Sequence, residues 1–149
     1  MEQDGYRRVE LFLASSIDDT ETERDKLQNK IMAVWNPIFH AFGTELRVIR
    51  CEQIQARWPL RNQEIIDEKI READVFIVIF KNRIGSYSYH EFQVARDTFQ
   101  KNGKPHIYPY VSDWLMEQRD AVAELQELTQ NNTYPETFSA YEAIEVSLL

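Results

Sequence analysis

Cysteine is nearly absent from this 149-residue sequence. Cys51 stands alone, so no internal disulfide can form and a zinc site built from cysteines is excluded. Glycine is scarce as well. Gly5, Gly43, Gly85 and Gly103 lie far apart, which leaves neither a Walker loop nor a G-x-G-x-x-G turn to cradle a phosphate. Long apolar runs are missing, and the most apolar stretch, Val75 to Phe80, is far too short to span a bilayer. Met1 to Glu10 carries charges of both signs and no apolar segment of a signal peptide. Basic charge is in deficit: 17 Lys and Arg against 25 Asp and Glu leave a net charge of −8. Such a chain repels phosphate backbones and anionic leaflets, so neither a direct nucleic-acid partner nor a membrane is expected. A reducing, cytoplasmic setting is the expectation. The three histidines, His40, His90 and His106, show no metal-ligand spacing, so no metal is expected either.

What is present is a 43% hydrophobic composition, enough for one packed domain and too little chain for two. Arg8 to Ser15 reads as a strand. Val9, Leu11 and Leu13 alternate with Glu10, Phe12 and Ala14, apolar enough to be covered on both faces. Ser15, Ser16, Asp18 and Asp19 form a polar corner in which either aspartate can cap a helix. That helix carries Leu27, Ile31, Val34, Ile38 and Phe42 at helical spacing. Pro37 predicts a kink or break near Trp35 and Asn36, Gly43 predicts the stop, and the charges from Asp18 to Asp25 read as a solvated face. Leu46 to Arg50 is a second strand. A polar stretch from Cys51 to Arg61, including Trp58, precedes a helix opened by Asn62 with Ile65, Ile66 and Ile70 on one side.

Asp74 to Phe80 is the clearest strand, a continuous β-branched and aromatic run suited to the centre of a parallel sheet. The loop Lys81 to Tyr89 leads into a helix bearing Phe92, Ala95 and Phe99, stopped at Lys101 to Pro105. His106 to Val111 is a fourth strand, nearer the edge because of Pro109, and Ala121 to Leu128 is helical. Tyr134 to Phe138 reads as a short fifth strand and Ala140 to Leu149 as a last helix. The alternation predicts an α/β fold: one domain over residues 1–149, a five-stranded parallel sheet in the flavodoxin-like order 2-1-3-4-5, with helices on both faces.

In an open parallel sheet, ligands bind beyond the carboxyl ends of the strands, where strand order reverses. Here that point lies between the first and third strands. It sets Ser15, Ser16, Asp18 and Asp19 against the segment holding Lys81, Arg83, Ser86, Tyr87, Tyr89, His90 and Glu91, with the loop after the second strand as a lid. Glu91 is expected in the first turn of its helix, where the macrodipole favours the ionised form. A carboxylate held there can stabilise or attack an oxocarbenium-like centre as an N-glycosidic bond breaks. The plainer alternative is a favourable first-turn charge. Tyr87 and Tyr89 can stack on a nicotinamide or nucleobase, or pack on the sheet edge. Ser15 and Ser16 can bond a ribose or phosphate, or serve only as turn and cap. Lys81 and Arg83 are the nearest cations for a pyrophosphate. His90 reads as a surface residue and His40 and His106 as structural. No nucleophile elbow or Cys-His pair is present.

Two segments together resemble a family. Leu11-Phe12-Leu13-Ala14-Ser15-Ser16-Ile17-Asp18-Asp19-Thr20-Glu21-Thr22-Glu23-Arg24 looks like the opening of a bacterial Toll/interleukin-receptor (TIR)-like domain. Ala73 to Phe80, followed by Gly85-Ser86-Tyr87-Ser88-Tyr89-His90-Glu91-Phe92, resembles its third strand and the helix of its catalytic glutamate. Tyr87 falls where that family often has tryptophan. The tryptophan and cysteine before the glutamate are absent, and Ala14 stands where serine is frequent. The resemblance implies NAD+ as substrate and no separate cofactor, with cleavage to nicotinamide and ADP-ribose or cyclisation of the ADP-ribose. It implies Glu91 as catalytic residue, and Ser15, Ser16, Asp18, Arg83, Ser86 and Tyr87 along the nucleotide pocket. It further implies activation by self-association into an oligomer or filament, and a part in antiviral defence. A sensor or switch module following the domain in a longer chain is expected on the same ground. Nucleoside 2-deoxyribosyltransferases are a more distant resemblance through Phe12-Leu13-Ala14-Ser15 and Glu91, without their Gly-Thr before the glutamate. A non-catalytic TIR adaptor is the third reading.

Overall fold

A computed structural model describes residues 2–3, 6–15, 17–50, 63–82, 84, 86–129 and 136–138, and side chains over 7–14, 23–50, 63–82, 84 and 88–127. The centre is a parallel sheet of four strands. β2 (Tyr6–Ser15) lies between β3 (Thr44–Arg50) and β4 (Val75–Phe80), and β5 (His106–Ser112) flanks β4. The expected order of the first four strands, 2-1-3-4, is therefore the observed one. Two short pieces extend it. β1 (Glu2–Gln3) runs antiparallel to the start of β2, which sequence patterning does not predict. β6 (Glu136–Phe138) pairs in parallel with β5. The polar loop Cys51 to Arg61 and the expected helix Ala140 to Leu149 lie outside the described residues.

Strand β4 is buried almost throughout because its six residues are covered on both faces. On one face Phe12, Phe76, Val78 and Phe80 meet α3 (Gln63–Glu72) and α4 (Ser86–Asn102) through Ile66, Ile70, Phe92 and Ala95. Phe12 stacks on Phe76 at 5.9 Å, and Phe76 meets Phe92 edge-on at 6.2 Å. α5 (Asp113–Met116) and α6 (Arg119–Thr129) complete that side with Leu115 and Leu125. On the other face Leu11, Leu13, Ile77, Ile79 and Tyr110 pack under Leu27 of α1 (Ile17–Lys30) and under Ile31.

The expected break at Pro37 takes a different form. The chain stays helical: α1 widens into a π-helical turn, Ile31–Trp35, before α2 (Asn36–His40). Proline lacks an N–H and crowds the preceding turn, and one extra residue per turn relieves the crowding. Asn36 N–H accordingly donates to Ile31 O, five residues back. The wider turn rotates everything after it, and the predicted apolar stripe fails beyond Ile31. Val34, Ile38 and Phe42 are exposed, Phe42 by 80%. Asn36 gains a purpose from the same rotation. Its Nδ2 donates to Leu46 O at 3.0 Å and its Oδ1 accepts from Leu46 N–H at 2.7 Å, so one amide side chain satisfies both backbone groups of Leu46 on strand β3. Gly43, at φ +76°, then supplies the left-handed residue that ends the helical segment. Phe99, on α4, is also exposed and lies against His106.

This side of the sheet is only partly covered by described residues. An open apolar groove of about 570 Å³ runs between Val9, Leu11, Val75, Ile77, Tyr108 and Phe39. Burial therefore separates phenylalanines that look alike in the sequence. Phe76→Ala should destabilise by about 3–5 kcal/mol, whereas Phe42→Ala should stay within about 0.5 kcal/mol, measured by urea denaturation.

Candidate functional site

Strand order reverses between β2 and β4, so the segments leaving their carboxyl ends diverge to opposite faces and leave a crevice between them. Ser15 ends β2 opposite Ile79, and Asp18 lies in the first turn of α1. Ser86 and Tyr87 open α4. The side chains of these four residues, and all of Ser16, Arg83 and Trp58, lie outside the described residues.

Glu91 is placed differently from expectation. The loop after β4 is shorter than Lys81 to Tyr89, because α4 already begins at Ser86. Glu91 therefore stands in the second turn, and the first turn holds no acidic residue. The macrodipole acts mainly on the terminal turn, so it is not what governs this carboxylate. Burial is: Glu91 is 2% exposed. It lies on a stripe with Ser88, Phe92, Ala95 and Thr98, all buried, so α4 sets polar and apolar side chains together against the rest of the domain. Thr98 turns its hydroxyl inward to Val94 O at 2.7 Å.

The crevice holds residues that the sequence reading missed. The charge run Asp18 to Asp25 is not simply a solvated face: Glu23 is 7% exposed and Arg24 is fully buried. Glu23 Oε1 accepts from Lys81 Nζ at 2.7 Å, which ties α1 to the residue directly after β4. Lys81 is held from its backbone too, since Ser112 Oγ, at the end of β5, donates to Lys81 O. The same Ser112 oxygen accepts from Leu115 N–H at 3.1 Å and caps α5. The ends of β4 and β5 and helix α1 are thus joined through Lys81 and Ser112. Arg50, closing β3, donates to Asp25 at 2.6 Å and to Gln28 at 2.9 Å. A periodic signal for Glu23 exists in the sequence, because the stripe Ile31–Leu27 extends back by one turn to position 23.

His90 is not merely a surface residue. Its Nε2 lies 2.9 Å from Asp67 Oδ2, and Gln63 Nε2 donates to Asp67 Oδ1 at 2.7 Å. This polar clasp joins α3 to α4 immediately before Glu91. Among the described residues, no cluster of three His, Cys, Asp or Glu could hold a metal ion, and no helix is long and apolar enough to cross a membrane.

The Glu23–Lys81 pair gives a test of this architecture. Lys81→Met strands a buried carboxylate. Because the lysine side chain is 41% exposed, screening limits the cost to about 1–2 kcal/mol. The double variant Glu23→Gln/Lys81→Met should recover most of that loss in thermal denaturation, since no unpaired charge is then buried.

No curated protein and no solved structure matches the chain. A family model does, over residues 10–146, from within β2 to beyond β6. The matched span takes in strands β3 to β6, the end of β2 and Glu91, and the chain belongs to the family described as domain of unknown function (DUF4062).

Proposed function

We propose that this chain is a TIR-like, flavodoxin-like domain that cleaves the nicotinamide–ribose bond of NAD+, with Glu91 as its catalytic carboxylate. The observation that carries the reading is a carboxylate 2% exposed, on the helix that leaves β4 at the reversal of strand order. In water-poor surroundings a carboxylate acts on developing positive charge far more strongly than in bulk solvent. The C1′–N bond breaks with its electron pair going to nicotinamide, and Glu91 balances the cationic sugar. Water then adds at C1′ and releases a proton, or an adenine nitrogen adds and closes a ring. Ser15, Ser16, Asp18, Arg83, Ser86 and Tyr87 complete the proposed pocket: Arg83 and the serines as pyrophosphate and ribose donors, Tyr87 against the nicotinamide ribose.

Burial also bears on regulation. Substrate reaches Glu91 only if neighbouring segments move, which suits a domain switched on by self-association. The exposed apolar side chains Val34, Ile38 and Phe42, with Ile38 on the apolar groove, offer a surface for such contacts. A cytoplasmic role in antiviral defence belongs to the same proposal and rests on the TIR resemblance. The same exposed surface also fits the non-catalytic adaptor reading, which predicts assembly without turnover. A deoxyribosyltransferase would instead exchange bases on free nucleosides.

Incubating concentrated protein with NAD+ and following nicotinamide release tests the proposal. Glu91→Gln should keep the circular-dichroism spectrum and melting profile while lowering the rate by about a hundredfold or more. Full activity in this variant, or assembly with no nicotinamide release by the wild type, would reject the catalytic assignment. Activity per molecule should climb with protein concentration, and Ile38→Asp together with Phe42→Asp should flatten that climb in parallel with a fall in sedimentation coefficient.

A further inference from the structure

The ion pair at the crevice is half satisfied. Glu23 Oε1 is engaged by Lys81 Nζ at 2.7 Å, but its second oxygen, Oε2, is buried and has no hydrogen-bond partner among the described residues. A buried carboxylate oxygen left unpaired is costly, so its presence calls for a compensating role. The two members of the pair differ in freedom. The Glu23 side chain is 9% exposed and fixed on α1, whereas that of Lys81 is 41% exposed on a flexible stem. The carboxylate is therefore the fixed member of the pair, and the ammonium is the one that adjusts to a ligand while it stays on Oε1.

We propose that Glu23 and Lys81 form a recognition site for a vicinal diol and so select ribosyl over 2-deoxyribosyl ligands. An ionised carboxylate only accepts hydrogen bonds and an ammonium only donates them. A vicinal diol matches both: one hydroxyl donates to Glu23 Oε2, and its neighbour accepts from one of the Lys81 protons not used on Oε1. A phosphate cannot do this, since it brings acceptors alone and would face the carboxylate. A 2-deoxy sugar loses one of the two contacts and leaves its partner unsatisfied, a loss that binding sites discriminate strongly. The position agrees with this chemistry. The pair bridges the segments leaving β2 and β4, the two ends that border the crevice. The inference rests on the N-glycosidic reading for its choice of sugar, and it adds what part of the substrate the pair holds.

The test compares ribose 5-phosphate with 2-deoxyribose 5-phosphate by ligand-observed NMR on the full chain, with NAD+ hydrolysis followed separately. The ribose compound should bind about tenfold or more tightly, the size of one hydrogen bond to a charged group. Glu23→Gln, which replaces an acceptor oxygen by a donor amide, should erase that preference. Should this variant fail to fold, the wild-type preference still decides, with 3-deoxyribose 5-phosphate as a second probe of the diol. Equal binding of the sugars, no binding of either, or a preference that survives Glu23→Gln overturns the proposal. Nicotinamide release without sugar preference rejects the diol site and keeps the NAD+ reading. Preference lost in Glu23→Gln without nicotinamide release keeps the diol site and rejects the NAD+ reading.

Discussion

The parallel pairing of β2 with β4 governs the arrangement of everything functional in this domain. In register from Leu11–Val75 to Ser15–Ile79, it places the first and third long strands side by side and pushes β3 to the far side of β2. Right-handed crossovers then have no choice of face. The connection to β3 runs over one side of the sheet, whereas those to β4 and β5 run over the other. Leu27 and Phe92 consequently belong to separate clusters on opposite faces. The segments leaving β2 and β4 must part, and the crevice is the geometric residue of that parting. What fills it is polar: Lys81 reaches Glu23 across the gap, and Ser112 ties Lys81 to β5.

Where burial on two faces dictates composition, the sequence is readable. Val75 to Phe80 has no polar residue because no position on a central strand meets water, and that run locates the middle of the sheet without further help. The first four strands and their order follow from such runs and from the helices between them. Helix α1 and its continuation were harder to read. A strict 3.6-residue repeat carries Leu27 and Ile31 inward and then predicts Val34, Ile38 and Phe42 beside them. One additional residue in the turn at Ile31–Trp35 breaks that extrapolation. Pro37 announced a disturbance, but not that the helix would absorb it by widening. The start of α4 was misjudged for a related reason. Ser86-Tyr87-Ser88-Tyr89 has weak helix propensity and looks like loop, yet Ser88 and Phe92 share a buried face that tertiary packing rewards.

The candidate site was legible in its location and much less so in its members. Topology alone brought the ends of β2 and β4 together and singled out Glu91 on the helix that follows. The partner across the crevice was hidden because charge runs are usually solvated, and Glu23 and Arg24 are embedded in one. Such residues become visible only when helical phase is given priority over polarity: position 23 lies two turns before Ile31, on the face that meets the sheet. His90 was missed in the opposite way. Its partner Asp67 lies on another helix, and no spacing within one element could reveal the pair.

The burial of Glu91 changes how its reactivity must be understood. At a helix N-terminus, a carboxylate would gain about 0.3–1 kcal/mol from the macrodipole. In the second turn that support is small, and the side chain is 2% exposed. A carboxylate so placed depends on what the fold sets around it. At the carboxyl end of β4, Lys81 pairs with Glu23, its stem flexible and its backbone anchored by Ser112. A ligand bridging Glu23 and the ammonium would engage charge at the strand ends without disturbing the strands themselves. The rigid core and the responsive charge thus occupy opposite ends of one residue, with the Lys81 backbone fixed to the sheet and its Nζ paired with Glu23 across the crevice.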